Sequence, residues 1–436
     1  MSTLKHLFKW VSGPVAARLP ALLLAGVVLA SCGGGEDRSK AQLRLINASQ
    51  GYAELDLIVD DQRRQDSVAY GATDRYVEVD PDETATEITR PGSATPLAST
   101  VPALREGDRY SLVAYGAEGA LRTVLLADNT DDPDRGEALV RVLNAAPDAG
   151  ALDIYLTSAD APLADAEALQ TGAEAGEVSG FTVVDEGSWR LRITAAGDRD
   201  DLRLDLSGIQ LASRQIVSVV VTPGAGGVLV NALLVTQRGA IETLNGAQAR
   251  VRTVAAVTSS GTVSATVNGV ALMNGTGAPA AGPYRLVPAG DVLTVVAVNG
   301  TSVTTPAATL AAGTDHTLLV WGPATAPAAA WIADDNRLPS VTGRAKLRLV
   351  HGVADFAPVL ALTLDFSPVA DAVSGGTAST PLLVDAGTDA TLTVTATGLA
   401  TPLFTAVEQN LVADGVYSLF VVGAADAPVG FLRKDR

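Results

Sequence analysis

The fold is indicated first by the octapeptide ALVRVLNA at residues 138–145, because the chain carries four versions of it. The other three read AQLRLINA at 41–48, ARVRTVAA at 249–256 and AKLRLVHG at 345–352. In each copy apolar residues surround a central arginine, which is a pattern typical of a β-strand. The copies recur roughly every 100 residues, so the chain is built of tandem repeats.

The segments that close the repeats also resemble one another. YSLVAYG at 110–116 matches HTLLVWG at 316–322 and YSLFVVG at 417–423, whereas the second copy diverges to IVSVVV at 216–221. A repeat of about 100 residues with short strands and frequent turns has the size of an immunoglobulin-like sandwich. We therefore expect an all-β chain of four tandem immunoglobulin-like β-sandwich domains. Their predicted bounds are 41–135, 136–246, 247–342 and 343–436.

Alternation of apolar and polar residues continues between the ends of the repeats. LDIYL at 152–156 and LALTL at 360–364 each place apolar side chains on one face of a strand. Asn268-Gly269 and Asn299-Gly300 separate such runs and predict tight hairpin turns, because both central positions need positive φ. The clearest helical candidate is LADAEAL at 163–169, an insertion in the second repeat.

The N-terminus has the organisation of a secretory signal. Three basic residues precede an apolar stretch of about a dozen residues, which is too short to cross a bilayer as a helix. The stretch ends in Leu29-Ala30-Ser31-Cys32, which matches the bacterial lipobox. We therefore expect a lipoprotein signal peptide at 1–31, recognised by the signal peptidase through Leu29, Ala30 and Ser31. Lipid attachment is expected on Cys32.

The residues after the lipobox bear on localisation. The segment at 32–40 is rich in glycine and charge and is expected to be a flexible tether. Gly33 stands where an aspartate would direct retention at the inner membrane in enterobacterial sorting, so we expect a lipid anchor in the outer membrane. The chain would then lie in the cell envelope, on the surface or the periplasmic face.

Composition weighs against several function classes. The chain has 48 acidic and 31 basic residues, for a net charge of −17, and this balance disfavours nucleic acid as a partner. The single cysteine is the predicted lipidation site, so no disulfide, cysteine-based metal site or cysteine nucleophile is expected. Aromatic residues make up 4 %, which argues against extended stacking platforms.

A family resemblance rests on the second and fourth copies. The stretch VRVLNAAPDAGALDIY at 140–155 resembles the opening of the bacterial domain of unknown function 4397, which typically reads VRVVHASPDAPxVDVY. LRLVHGVADFAP at 347–358 is similar, whereas the third copy lacks the Pro-Asp turn. The resemblance implies β-rich tandem modules of exported bacterial proteins, often lipoproteins, and it implies no activity.

Two recurring polar positions are candidate sites. The arginines are expected on the outer face of the first strand, where each would hydrogen-bond a carboxylate; the alternative is a repeated anionic ligand. The position three residues later carries Asn, Asn, Ala and His, and a general base would not survive such exchange. We therefore expect a side chain that stabilises a turn there. The arginines are Arg44, Arg141, Arg252 and Arg348, and the second set is Asn47, Asn144, Ala255 and His351.

Acidic residues gather at two junctions between repeats, at 128–134 and 334–336. Such runs are usually solvated linkers, and the alternative is a calcium site that would stiffen the joint. Trp321 and Trp331 close the third repeat, and we expect them in a core or an inter-repeat contact, with an exposed binding patch as the alternative.

No motif for nucleophilic, metal-dependent or phosphate-binding catalysis occurs in the sequence. We therefore predict no catalytic, cofactor-binding or metal-binding residues. The predicted function is a non-enzymatic cell-envelope lipoprotein, an adhesion-like binding or spacer arm with a protein or polysaccharide ligand. One alternative is a periplasmic scaffold or assembly lipoprotein, and another is a carboxylate-based hydrolase at a domain junction.

Overall fold

The structure is a computed structural model that describes residues 39–81, 85–258 and 261–436. The signal peptide, the lipobox residues Leu29, Ala30 and Ser31, Cys32 and most of the tether lie outside the described residues. Within them the chain is all-β, and its only helices are two three-residue 3₁₀ turns. None of the described helices is long and apolar enough to span a membrane.

The strands fall into four consecutive groups that follow the four repeats. In repeat 1 they are β1 Ala41–Asn47, β2 Glu54–Val59, β3 Gln62–Ala69, β4 Val77–Val79, β5 Thr86–Thr89, β6 Pro96–Thr100, β7 Arg109–Tyr115 and β8 Arg122–Ala127. They form two sheets, in the orders β4-β1-β7-β8 and β3-β2-β5-β6. Apolar side chains from both sheets, such as Leu45 and Leu57, fill the core between them.

Repeat 2 keeps the two-sheet plan. Its strands are β9 Glu137–Asn144, β10 Leu152–Thr157, β11 Gln170–Ala173, β12 Thr182–Asp185, β13 Gly187–Ala195, β14 Asp198–Leu211, β15 Ile216–Pro223, β16 Val230–Thr236 and β17 Ile241–Leu244. The sheets have the orders β12-β9-β15-β16-β17 and β11-β10-β13-β14. Strand β17 is therefore an addition at the edge that follows β16.

Repeat 3 is the most fragmented. Its strands are β18 Gln248–Val257, β19 Thr262–Val267, β20 Val270–Gly277, β21 Ala280–Ala281, β22 Arg285–Pro288, β23 Gly290–Asp291, β24 Thr294–Val298, β25 Thr301–Val303, β26 Thr309–Leu310, β27 Asp315–Gly322 and β28 Ala328–Asp334. The sheets are β21-β18-β27-β28, with β22 also on β18, and β20-β19-β24-β25; β23 pairs with β26.

Repeat 4 returns to two four-stranded sheets. Its strands are β29 Arg344–Ala354, β30 Leu360–Leu364, β31 Ser367–Val373, β32 Leu382–Asp385, β33 Gly387–Ala396, β34 Phe404–Leu411, β35 Val416–Ala424 and β36 Ala427–Lys434. The orders are β32-β29-β35-β36 and β31-β30-β33-β34. In all four repeats the leading strand, which carries the recurring arginine, runs parallel to the closing strand.

Local turn chemistry follows the sequence closely. Asn268 and Gly269, and likewise Asn299 and Gly300, adopt positive φ between antiparallel strands, as predicted. The predicted helix at 163–169 is wrong, because only Leu163–Asp165 forms a single 3₁₀ turn. The Arg199 guanidinium binds the carbonyls of this insertion, including that of Leu163 at 2.6 Å, and Ala166 returns to extended backbone.

A β-bulge recurs in the second sheet and explains the aspartate of the family pattern. Asp153 Oδ1 accepts the backbone N–H of Gly172, a residue with positive φ, at 2.7 Å. Asp56 and Ser264 accept the equivalent N–H groups in repeats 1 and 3. A bulge leaves one residue outside the regular ladder, and this side chain satisfies its N–H group.

The repeats pack in pairs through their arginine-bearing sheets. One apolar cluster joins residues such as Ile46 and Val113 of repeat 1 to Leu143 and Val220 of repeat 2. A second cluster joins Val254, Ala256, Leu319 and Ile332 of repeat 3 to Val350, Phe420 and Val422 of repeat 4. These sheets are therefore buried on both faces, in contrast to repeats strung out as separate units.

Candidate functional site

The four recurring arginines lie on the leading strands, on the face turned away from each repeat's own core. All four are buried, with Arg252 only 1 % exposed and Arg141 7 % exposed. Each donates from Nε to a hydroxyl on the neighbouring closing strand. The acceptors are Ser111 for Arg44, Ser218 for Arg141, Thr317 for Arg252 and Ser418 for Arg348, at 2.7–2.9 Å. This side-by-side placement follows from the parallel register of the two strands.

Two reciprocal ion pairs cross the interface between repeats 3 and 4. Arg348 donates to Asp334 of repeat 3 at 2.6 Å, and Arg252 donates to Asp435 of repeat 4. Burial disfavours the charged form of Asp334, but the guanidinium groups of Arg348 and Arg252 hold the pKa of Asp334 below its ordinary value. Asp334 also accepts hydrogen bonds from the Thr317 and Tyr284 hydroxyls. The Asp334 carboxylate therefore remains ionised in the interface.

The interface between repeats 1 and 2 has one carboxylate where the other has two. Asp128 lies 3.5 Å from the Arg141 guanidinium and 3.9 Å from that of Arg44. Gln237 occupies the equivalent position in repeat 2, and its amide bonds the backbone of Thr130 instead. The Arg44 guanidinium also donates a hydrogen bond to the backbone carbonyl of Gly239 in repeat 2, at 2.8 Å.

These contacts test the predictions made for the recurring arginines and for the acidic residues at the junctions. The expected carboxylate partner is confirmed for Arg141, Arg252 and Arg348, although the outer face carrying them is covered by the adjacent repeat. The expectation of a solvated linker is wrong for Asp128 and Asp334, because neighbouring repeats bury both. In the described residues no group of three or more His, Cys, Asp or Glu side chains is arranged to hold a metal ion.

The second recurring position stabilises a turn, as expected. Asn144 donates to the carbonyls of Gly150 and Ala173 and accepts the backbone N–H of Ala146 at 3.0 Å. Asn47 makes the same set of contacts in repeat 1. His351 accepts the N–H of Val353 on Nδ1, and burial lowers the pKa of His351, which favours the neutral imidazole. The side chains of Asn47, Asn144 and His351 therefore stabilise the local backbone through hydrogen bonds.

The tryptophans make contacts within and between repeats. Trp321 packs against the apolar cluster shared by repeats 3 and 4 and lies over Gly376, where a Cβ would come within 2.7 Å of its ring. Tyr115 occupies the matching place over Gly176 in the first pair. Trp331 packs against the core of repeat 3 and meets His316 edge to face at 6.4 Å. The alternative of an exposed aromatic patch is wrong for Trp321.

Three clefts are candidates for ligand binding. A cleft of about 570 Å³ lies between repeats 3 and 4 and is lined by Asp334, Arg348 and the segment 376–381. A cleft of about 650 Å³ in repeat 2 is lined by Asp153, Glu167, Asp198, Arg199 and Asp200, among others. The third, of about 280 Å³, lies where repeats 1 and 2 meet Arg337 of repeat 3, and it includes Glu118 and Asp148.

The sequence identified the arginines and the junction acids separately, but it did not predict that they form ion pairs between repeats. The missed residues are the aromatic side chains that cover the guanidinium groups. Tyr76, Phe181 and Tyr284 each place a ring centroid 4.7 Å from the Cζ of the arginine in their own repeat. These aromatic residues share a position in the sequence, because each directly precedes the short strand that pairs with the arginine strand. That recurrence could have identified them.

Comparisons with known proteins point to a family and to no activity. No curated protein matches the chain in sequence. The Bacillus anthracis TIE protein is 8 % identical over 85 % of this chain, with a TM-score of 0.13, and this chain covers 65 % of that protein. A Bacteroides ovatus protein described as a candidate cell adhesion protein is 11 % identical, with a TM-score of 0.13. The coverage in that case is 69 % of this chain and 97 % of that one. At these scores the likenesses establish neither a shared fold nor a shared function.

The family profile of a domain of unknown function, DUF4397, matches residues 41–155 and 249–362, together more than half of the chain. Both matches begin at the arginine strand of the first repeat in a pair and end in the second strand of its partner. The second match includes repeat 3, where the resemblance of the opening residues is weakest. The chain therefore belongs to the DUF4397 family and contains tandem modules of it.

Proposed function

We propose that this protein is a non-enzymatic lipoprotein of the bacterial cell envelope, held at the outer membrane by lipid on Cys32, and that its repeats form an adhesion-like binding module. Its ligand would be a protein or a polysaccharide. The proposal includes a finer assignment of the fold, in which each repeat is an immunoglobulin-like β-sandwich domain. It rests on the lipobox of the sequence and on how the repeats use their polar residues.

One observation carries the proposal: the recurring polar side chains stabilise the fold and the contacts between repeats. The arginines, their aspartate partners and the Asn or His residues that hold turns are buried in hydrogen bonds within or between repeats. The outward face of the second sheet is buried in repeat 2, where Tyr155 and Arg192 are 2 % and 4 % exposed, but it is accessible in repeat 4. In repeat 4 it carries a cross-strand row of threonines, Thr363 beside Thr393 and Thr393 beside Thr405. A flat hydroxyl-bearing face suits contact with another surface.

Because the repeats pack in pairs, the protein is expected to be stiffer than a chain of four separate domains. Each pair buries a shared apolar layer, so a pair is expected to move as one rigid block. The binding module proposed here is therefore shorter and stiffer than four repeats in line.

Protease treatment of intact cells tests the proposed surface exposure, with lysed cells and the Cys32→Ser variant as controls. Digestion of the wild-type chain on intact cells supports the adhesion-like role. Protection on intact cells followed by digestion after lysis contradicts it and supports the alternative of a periplasmic scaffold or assembly lipoprotein. The Cys32→Ser variant should be released from washed membranes in either case.

A hydrolase remains a second candidate because of one cleft. Burial raises the pKa of Asp148 above its ordinary value, and Asp148 lies with Glu118 in the 280 Å³ cleft that Arg337 of repeat 3 also lines. A raised carboxyl pKa beside a second carboxylate is what acid–base hydrolysis requires. The test is turnover of chromogenic glycosides and esters by the wild type and by Asp148→Asn. Turnover that the variant loses would support the hydrolase over the binding module.

A further inference from the structure

Strand β28 of repeat 3 lies at the edge of its sheet, with β27 on one side and, among the described residues, no strand on the other. Alternate residues of an edge strand direct their backbone N–H and C=O groups away from the sheet. The Ala333 carbonyl is one such group, because it accepts a hydrogen bond from Arg348 of repeat 4 at 3.2 Å. Trp331 lies two residues earlier, so its N–H and C=O groups point the same way.

The corresponding edge in repeat 2 is covered by the chain itself. Strand β17 turns back after β16 and pairs with it in antiparallel register, with Glu242 opposite Leu234. The N–H of Thr236 donates to the Ala240 carbonyl at 3.1 Å. Ile241 packs against the apolar cluster shared by repeats 1 and 2. The edge of β16 thus binds an extended segment that directs one apolar side chain at the neighbouring repeat.

The two edges correspond residue by residue. Thr236 of β16 corresponds to Ala333 of β28, since each directly precedes the position of the junction acid. An arginine of the partner repeat donates to each of these carbonyls, Arg44 at 3.3 Å and Arg348 at 3.2 Å. Trp331 therefore takes the place of the β16 residue that pairs with β17. Between β28 and β29 the chain is described throughout and forms no strand, so this linker leaves the edge open.

The cleft of about 570 Å³ runs along the open edge of β28. Trp331, Ile332 and Ala333 line one side, and the segment 376–381 of repeat 4 lines the other. Ala333 is exposed and Trp331 is half-buried, so the edge can be reached from solvent. Ile332 and Ala378 belong to the apolar cluster shared by repeats 3 and 4, so an apolar side chain from an added strand would contact both.

The charged groups beside the cleft are already paired. Asp335 binds Lys346 at 2.9 Å and Arg337 at 2.8 Å, and Asp334 binds Arg348 at 2.6 Å. A charged side chain that entered the cleft would lose its hydration without gaining a free partner of opposite charge. The cleft therefore favours an uncharged segment.

Trp321 limits how far an added strand can extend. Its ring lies over Gly376, whereas Thr243 of β17 lies over Gly71, the equivalent glycine of repeat 1. Both glycines donate their N–H to the carbonyl of the second recurring position, which establishes their equivalence. An added strand must therefore end where Trp321 covers Gly376, and it pairs only with the C-terminal half of β28.

We propose that the edge of β28 binds an extended, uncharged peptide segment of a protein ligand, which adds to the sheet as a short antiparallel strand in the way that β17 adds to β16. Donors and acceptors that alternate along a strand edge match another peptide backbone, which selects protein over polysaccharide. The inference rests on the proposed binding role and deepens it by naming the class of ligand and the site.

The test is NMR titration of the full chain with the acetylated and amidated tetrapeptide Gly-Ala-Ile-Gln, which is residues 239–242 with glutamine in place of Glu242. The wild type should bind this peptide. N-methylation of the Gln backbone nitrogen should weaken binding at least about 10-fold, because its N–H bonds the Trp331 carbonyl. N-methylation of the Ile backbone nitrogen is the matched control. That N–H points away from β28, so its loss should change the affinity much less.

A second pair of variants locates the site on the protein. Ala333→Pro removes the N–H that would donate to the peptide and should weaken binding at least about 10-fold. Proline is tolerated at the edge of a sheet, where this N–H faces outward. Ala333→Ser keeps the N–H and should bind like the wild type.

Absence of binding to the wild type at millimolar peptide would overturn the proposal. Equal affinity for the two N-methylated peptides, or equal binding by Ala333→Pro and Ala333→Ser, would overturn it too. A wild-type dimer in sedimentation that Ala333→Pro dissociates would assign the edge to a second copy of the chain instead. Should Ala333→Pro not fold, the two N-methylated peptides still decide. None of these results alters the protease and membrane-release experiments, so the proposed envelope function is judged separately.

Discussion

The ion pair between Arg348 and Asp334 gives the sharpest prediction about stability. Asp334 is fully buried at the side chain and binds three donors, Arg348 at 2.6 Å, Thr317 at 2.6 Å and Tyr284 at 2.7 Å. Asp334→Ala removes the carboxylate and leaves the Arg348 cation with its nearest remaining carboxylate at 3.9 Å. Removing one partner of a buried ion pair costs about 3–5 kcal/mol.

That free energy translates into a large thermal shift. For a cooperative unit of 150–250 residues, each kcal/mol lowers Tm by about 2–4 °C. The repeat 3–4 pair has this size, so Asp334→Ala should lower its unfolding transition by about 6–20 °C. Differential scanning calorimetry of the full chain measures the change.

Asp385→Ala is the matched control for Asp334→Ala. Asp385 also pairs with an arginine, Arg344 at 3.1 Å, but its side chain is 87 % exposed. Water screens such a pair, and its loss should cost less than about 1 kcal/mol. If Asp334→Ala shifts the transition no more than Asp385→Ala does, the buried ion pairs do not hold the repeats together as described.

Two further predictions concern the turn histidine and the glycine beneath Trp321. Burial lowers the pKa of His351 below 6.5, so the folded chain binds fewer protons than the unfolded chain and loses stability as pH falls from about 7 to 5. His351→Asn should flatten this part of the curve of Tm against pH, and an unchanged slope would contradict it. Gly376→Ala should cost about 1–3 kcal/mol by chemical denaturation, because its Cβ meets Trp321. Gly119→Ala, with similar φ and no atom within 4 Å of its Cβ, should cost less, and equal losses would refute the contact.

Much of the fold was predictable because local rules govern strands and hairpins. Alternating residues marked the strands, and the Asn-Gly pairs marked turns that the structure forms. The 163–169 insertion misled because its alanines and leucines favour a helix when considered alone. Tertiary contact decided otherwise, since the Arg199 guanidinium takes carbonyls that a longer helix would have used.

The pairing of the repeats was not predicted, although the sequence contained a sign of it. The run IVSVVV at 216–221 lacks alternation, and a strand buried on both faces reads in this way. On the leading strands the recurring arginine concealed burial on both faces, because a charged residue on a strand suggests that its face is solvated. For Arg141 and Arg252, the aspartate of the partner repeat and the aromatic ring of the arginine's own repeat make burial of the guanidinium tolerable.

Lipid attachment at Cys32 is tested most directly by metabolic labelling of the full chain with an alkyne fatty acid, followed by membrane fractionation. The wild-type chain should carry the label and remain with washed membranes. The Cys32→Ser variant should carry no label and leave the membrane fraction. An unlabelled wild-type chain, or a Cys32→Ser variant that stays membrane-bound through detergent-free washing, would contradict the proposal of a lipid-anchored envelope protein.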